Sequence, residues 1–183
     1  MRRIVGVEDY FDAAMELLVT QGPTSIKVGA LCSMLGVTTG SFYGYFRGFE
    51  DFVEALLIAR LSTQNRRLAE LTASRALPGA RMAQLREVAR DVPHEAEAAL
   101  RTWAAGNPTV ARLQQRLDEE RFAILVEFLG PIVATPEDAT RLGDFGMVLL
   151  IGWQHRQAGT CGPKFDVMFD HFEAVIRQEA RAG

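Results

Sequence analysis

Apolar residues recur along this chain at spacings of three and four, with no convincing run that alternates at two, so the pattern predicts helices throughout. Tyr10, Ala13, Ala14, Leu17 and Leu18 form the first stripe, widened by Phe11, Met15 and Val19, and Gly22-Pro23 ends that helix. Between Val28 and Phe46, Leu31 and Leu35 stand one turn apart. Gly36 follows where a helix C-terminus wants a left-handed residue, and Val37 can tuck back against the helix. Thr38 is placed to cap a second short helix by accepting a hydrogen bond from the backbone N–H near Ser41. A helix this short is marginal in water, so it must be held by burying Phe42 and Phe46. That leaves Thr39, Gly40, Tyr43 and Gly44 on the outside. Phe49, Phe52, Val53, Leu56 and Leu57 then predict a longer helix reaching about Leu71.

Ser74 to Gly79, with Pro78-Gly79, is the clearest break in the pattern. Helical spacing resumes at Met82, Leu85, Val88 and Ala89, stops at Pro93, and restarts through Ala96, Leu100 and Trp103. A turn at Ala104–Pro108 leads into a long stripe of Val110, Leu113, Leu117, Phe122, Leu125, Val126 and Leu129, closed by Gly130-Pro131. Thr135–Asp138 reads as a helix start, with Thr as cap, Pro at the first position and acids in the first turn. That helix runs through Leu142, Phe145, Met147, Leu149 and Trp153 to about Gln157, and Ala158–Pro163 turns the chain. A last stripe carries Phe165, Met168, Phe169, Phe172, Val175 and Ile176. The expected fold is all-α, without internal repeats or low-complexity segments.

At 183 residues and 48% hydrophobic, the chain can bury a sizeable core and does not read as disordered. Its net charge is −3, and the first sixty residues set Arg2, Arg3, Lys27, Arg47 and Arg60 against seven acids, so any contact with nucleic acid depends on local arrangement. Cys32 and Cys161 lie far apart and lack the spacing of a zinc site; Cys32 reads as a small buried residue. No signal peptide or membrane span is evident, the longest apolar run, Phe145–Trp153, falling short of the ~20 residues a membrane helix needs, so the cytoplasm is the expected compartment.

Val28–Phe46 has the layout of a helix-turn-helix, whose second helix enters a DNA major groove. Its GVTTGSFYGYF segment also resembles the TetR family of transcriptional regulators. Across residues 10–57 the matching positions are Ala13, Ala14, Leu17, Gly22, Val28, Leu31, Gly36, Val37, Gly40, Ser41, Tyr43, Phe46 and Leu56. The resemblance implies an N-terminal three-helix DNA-binding domain over 1–50 and a larger helical effector-binding and dimerisation domain over 51–183. It departs from the family at four places. Lys27 stands where a capping Ser or Thr is usual, with the cap moved to Ser25 or lost. Thr39 replaces a basic residue and Gly44 a larger one. Gly48-Phe49 replaces a Ser-Lys pair that would face a phosphate.

On this resemblance, Thr38, Thr39 and Ser41 contact base edges or phosphates, Gly40 and Gly44 allow close approach to the groove floor, and Tyr43, Tyr45 and Arg47 anchor phosphates, Tyr45 being alternatively a core aromatic. Lys27 is a further candidate for a phosphate, and Arg2 and Arg3 are either a basic arm or a disordered terminus. In the second half, Phe145, Leu149, Gly152, Phe165, Met168, Phe172 and Ile176 are the candidates for a homodimer interface of four helices, with Gly146 and Gly152 permitting close packing. An effector pocket is implied, with Trp103, Phe122, Leu125, Phe128, Met147 and Trp153 as lining and Gln64, His155 and Arg156 as polar contacts.

No histidine neighbourhood, at His94, His155 or Asp170-His171, has the spacing of a metal site or a catalytic triad, and no glycine loop is followed by the lysine of a phosphate cradle. The expected protein is therefore not an enzyme and carries no cofactor or metal. It is a ligand-responsive regulator of a double-stranded DNA operator, probed against one alternative: a helical ligand-binding or protein-interaction module of the same fold that has lost specific DNA binding.

Overall fold

The computed structural model describes residues 5–73, 78–157 and 161–182. Among them the chain forms nine α-helices and no strand: α1 Val7–Gln21, α2 Val28–Leu35, α3 Thr39–Tyr45, α4 Phe49–Thr72, α5 Pro78–Arg90, α6 His94–Ala104, α7 Pro108–Leu129, α8 Pro136–Gln157 and α9 Pro163–Ala182, with a short 3-10 turn at Pro23–Ser25. The all-α expectation holds. Arg2 and Arg3, and most of the expected breaks at 74–79 and 158–163, lie outside the described residues.

The packing divides the chain into two compact units. One comprises Met1–Arg60 with Glu95–Gln114, the other Leu61–His94 with Gln115–Gly183. In the first, α1 opens at Gly6, whose backbone N–H donates to Asp9 Oδ2 at 2.8 Å, and closes at Gly22, whose φ of 82° lies in the region glycine favours. Tyr10 and Phe11 of α1 meet Phe42 and Phe46 of the α3 segment and Phe52 of α4, all five buried. Phe42 has no exposed surface, and its ring centroid lies 5.6 Å from Tyr10, 5.0 Å from Phe46 and 5.4 Å from Phe52. These tilted and edge-on contacts are the arrangement aromatic quadrupoles prefer. Seven residues of α3 hold no stable helix of their own; this aromatic bed holds it.

The second unit is built around Phe128, Leu129, Leu142, Phe165, Phe169 and Ile176, each at most 4% exposed. α8 packs on α9, and α5 on α9. Gly143 and Gly146 bring α8 close to its neighbours: a Cβ at Gly143 would stand 2.8 Å from Val126, and one at Gly146 would stand 2.9 Å from Leu125 and 3.0 Å from Phe172. Gly152, by contrast, faces open space. Asn65 and Arg121 form a buried polar pair in this unit. Asn65 is 1% exposed, its amide donating to the Leu117 carbonyl at 2.9 Å while Arg121 Nε donates to its oxygen at 3.1 Å.

Two helix starts are capped by side chains. Thr135 Oγ1 accepts from the Asp138 backbone N–H at 3.1 Å, the cap its sequence predicts. Asn107, expected only as part of a turn, caps α7 by accepting from the N–H groups of Thr109 and Val110 at 3.0 and 3.1 Å.

Candidate nucleic-acid interface and effector cavity

The turn between α2 and α3 is set by Gly36, at φ 66° and ψ 32° in the left-handed region. Its N–H reaches the Ser33 carbonyl at 3.2 Å, and the Val37 N–H reaches that of Cys32 at 3.0 Å, a Schellman closure of α2. Cys32 is buried under Tyr10, and burial pushes its thiol up from the usual value, so the cysteine packs and is not poised to react. Neither helix of the motif has a side-chain cap. Lys27 and Thr38 occupy the cap positions without a side-chain bond to the helix, and Ser25 Oγ turns back to the carbonyls of Leu17 and Gly22. The expected Thr38 side-chain cap is thus replaced by a backbone bond, Ser41 N–H to the Thr38 carbonyl at 3.0 Å.

Thr38, Thr39, Gly40, Tyr43 and Gly44 are all exposed, Tyr43 at 59%, and they share the side of α3 away from the aromatic bed. A Cβ at Gly44 would meet nothing, so backbone alone presents itself there to whatever docks. Two candidates are already engaged within the unit. Ser41 Oγ accepts a hydrogen bond from the Tyr10 hydroxyl at 3.1 Å, and the Tyr45 hydroxyl donates to the Val5 carbonyl at 2.8 Å. Burial raises the Tyr10 hydroxyl above its usual pKa, against a smaller lowering by Ser41, so it stays a donor. Tyr45 is 44% exposed, its ring 5.9 Å from that of Tyr10, so it is both a packing aromatic and a surface one.

The charges are sparse. Lys27 is exposed and, among the described residues, its ammonium has no ion pair or hydrogen bond. Arg47 is exposed but held by Asp51, which accepts from its guanidinium at 2.8 Å and from its backbone N–H at 3.0 Å. Those bonds keep the Asp51 carboxyl below its usual range. Arg60 reaches Glu8 and Asp12 at 3.2 and 2.7 Å. A phosphate approaching Arg47 has to displace a carboxylate.

The second unit contains a cavity of about 80 Å³ walled by α4, α5, α7, α8 and α9. Of the candidates for an effector pocket, Gln64, Leu125 and Met147 line it. Phe122 and Phe128 belong to α7 but do not line it, and Trp103 is buried in the other unit. Trp153 lines a separate, more open depression with Gly152, Arg156, Lys164 and Met168, while His155 lines neither. Sequence reasoning missed the α5 wall of Leu85, Val88 and Ala89, and Arg121. A signal for Arg121 existed: it stands four residues from both Leu117 and Leu125 and therefore shares their buried face.

The dimer candidates divide too. Phe145 is 38% exposed and Gly152 is exposed, with Leu149 and Met168 half-buried. Phe165, Phe172 and Ile176 sit in the core of their own unit and are not on its surface, because α9 turns that stripe toward α5 and α8. Val148 and Val167, at 66% and 55%, are apolar surface that the sequence reading passed over.

Among the described residues no group of three or more His, Cys, Asp or Glu is gathered for a metal, and no helix is long and apolar enough to cross a membrane. Residues 11–56 match the sequence model of the bacterial regulatory proteins of the tetR family. No protein of curated function matches the sequence. A transcriptional regulator of Rhodococcus sp. Rha1 has a similar fold, with a TM-score of 0.76 at 16% identity over 97% of each chain. So does the ketosteroid transcriptional regulator KstR2 of Mycobacterium tuberculosis, with a TM-score of 0.69 at 17% identity over 98% of this chain and 97% of its own. A third, a candidate regulator from Saccharomonospora viridis solved with choline, gives 0.71 at 18% identity over 93% and 95%. Residues 11–56 thus carry the sequence of the tetR-family helix-turn-helix segment, and the chain shares its all-α fold with these solved regulators.

Proposed function

We propose that the protein is a one-component, ligand-responsive DNA-binding regulator, a homodimeric repressor released from a palindromic operator by a small molecule. The observation that carries this reading is the exposed side of α3, where Thr38, Thr39, Gly40, Tyr43 and Gly44 stand out from a rigid aromatic bed. α3 enters the major groove, Thr39 meets base edges, and Tyr43 and Lys27 bind phosphates. Arg47 joins them by exchanging Asp51 for a phosphate. Gly40 and Gly44 let the backbone approach the groove floor. One short helix reads too few base pairs to be specific, so two copies bind half-sites about 34–36 Å apart. The exposed Phe145, Val148, Gly152 and Val167 supply the apolar face through which the copies pair. The effector occupies the cavity beside Gln64, Leu125 and Met147, and acts by binding one spacing of the two α3 helices better than the other.

The test is a gel shift of the purified protein, at low and near-physiological salt, on DNA covering its own promoter. A discrete complex that resists competitor supports the reading. Thr39→Ala should then alter base preference, whereas Tyr43→Ala should weaken binding to all sequences alike. A folded, dimeric protein with no specific complex at either salt would favour the ligand-binding module without DNA recognition.

A further inference from the structure

The cavity of the second unit carries chemistry that narrows its occupant, given the reading of the protein as a ligand-responsive regulator. Its walls are apolar but for Gln64 and Arg121. Gln64 lines it, and its Oε1 is buried with no hydrogen-bond partner among the described residues. A buried amide oxygen without a donor is costly, and a ligand that supplies the donor removes the cost. We infer that the effector is a small neutral ring compound bearing a hydroxyl, a phenol in its simplest form, with the hydroxyl on Gln64 and the ring among Leu125, Phe169 and Phe172.

Three observations favour a neutral hydroxyl over a charged group. Arg121 is the one ionisable side chain in the lining among the described residues, so a desolvated cation would find no carboxylate. A carboxylate ligand accepts but cannot donate, so with the amide oriented as it is here it leaves Gln64 Oε1 unsatisfied, and Arg121 already donates its Nε to Asn65. Turning the Gln64 amide over exchanges oxygen for nitrogen, and a hydroxyl serves either, donating to the one or accepting from the other. The volume limits size. About 80 Å³ exceeds the ~10–15 Å³ one water needs but lies below the ~150 Å³ of an apolar cavity that takes up benzene. One ring therefore enters as the unbranched Met147 and Met168 of the lining shift aside.

Calorimetric titration of the purified full chain with phenol, toluene, benzoate and choline tests this without DNA. Phenol should bind at least about 10-fold tighter than each of the others, the scale of one hydrogen bond to a buried group. Gln64→Leu should bring the phenol-to-toluene ratio to about one while leaving toluene binding intact, a change that loss of folding could not produce. Benzoate or choline binding most tightly, an unchanged ratio in Gln64→Leu, or no binding by any of the four would overturn the inference. Adding phenol to the gel shift separates the two readings: phenol that binds without affecting a DNA complex leaves the ligand assignment standing and counts against the release mechanism. DNA released by benzoate or choline and not by phenol overturns the ligand assignment alone.

Discussion

Phe42→Ala tests whether α3 depends on its aromatic bed. The ring has no exposed surface and lies 5.0 to 5.6 Å, centroid to centroid, from Tyr10, Phe46, Phe52 and Tyr43. Truncating a buried Phe costs about 3–5 kcal/mol, partly as lost transfer energy and partly as the cavity left behind. The upper end applies here because three of the four neighbours are themselves buried or edge-locked rings, which cannot collapse into the void, and each lost ring contact adds ~0.5–1.5 kcal/mol. With a urea dependence of roughly 1–3 kcal/mol per molar, the unfolding midpoint should fall by about 2 M. The chain provides its own probe: Trp103 is buried in the unit that holds Phe42 and Trp153 in the other, so a Trp153→Phe background reports the first unit through Trp103 fluorescence. Tyr43→Ala, at a 59% exposed position and losing a single ring contact with Phe42, is the control and should cost no more than about 1 kcal/mol. A Phe42→Ala midpoint no lower than that of the control would refute the argument that burial holds this helix.

Asp51 and the glycines of α8 give further tests. Asp51→Asn keeps an acceptor for the Arg47 backbone N–H but releases its guanidinium, so DNA affinity in the gel shift should rise several-fold at low salt, with a steeper salt dependence. The same variant has a pH signature. Arg47 lowers the Asp51 carboxyl, so its stabilisation is complete above the ordinary carboxylate pKa of 3.8 and is lost as pH falls through the lowered folded value. The difference in Tm between wild type and Asp51→Asn should therefore shrink below about pH 4. Gly146→Ala should destabilise by about 1–3 kcal/mol, since the added methyl stands 2.9 Å from Leu125 and 3.0 Å from Phe172. Gly152→Ala, with nothing in its way, should be neutral or raise Tm slightly through helix propensity. Equal effects from the two would refute the packing of α8.

The helices were legible because their evidence is local. Periodicity, Gly36 in its left-handed turn and Thr135 at its helix start depend on neighbours within a few residues, where backbone geometry leaves few choices. The inward placement of Phe42 and Phe46 was legible for the same reason, since a short helix must bury something. Caps were less so. Thr38 has the right residue type and extended backbone, yet the Thr38 carbonyl, and not its hydroxyl, takes the Ser41 N–H. Either arrangement satisfies that group, and the sequence does not choose between them.

Side-chain partners distant in the chain were decided by tertiary structure. Tyr10 and Ser41 lie 31 residues apart, and Tyr45 and Val5 lie 40 apart; in both pairs a hydroxyl expected to face outward binds within the unit. The same holds in the second unit. Apolar stripes announced that Phe165, Phe172 and Ile176 are buried, but not by what; only the placement of α9 against α5 and α8 assigned them to the unit's own core. The cavity has walls from five helices, so no local pattern could have revealed that Gln64 and Arg121 share it. The sequence by itself therefore determined the all-α class, the helix-turn-helix and its outward residues, because those follow from short-range backbone and burial rules. Tertiary structure alone decided which hydroxyls are already engaged, which apolar stripe is core, and which polar groups face the cavity, because those depend on helices meeting across long separations in the chain.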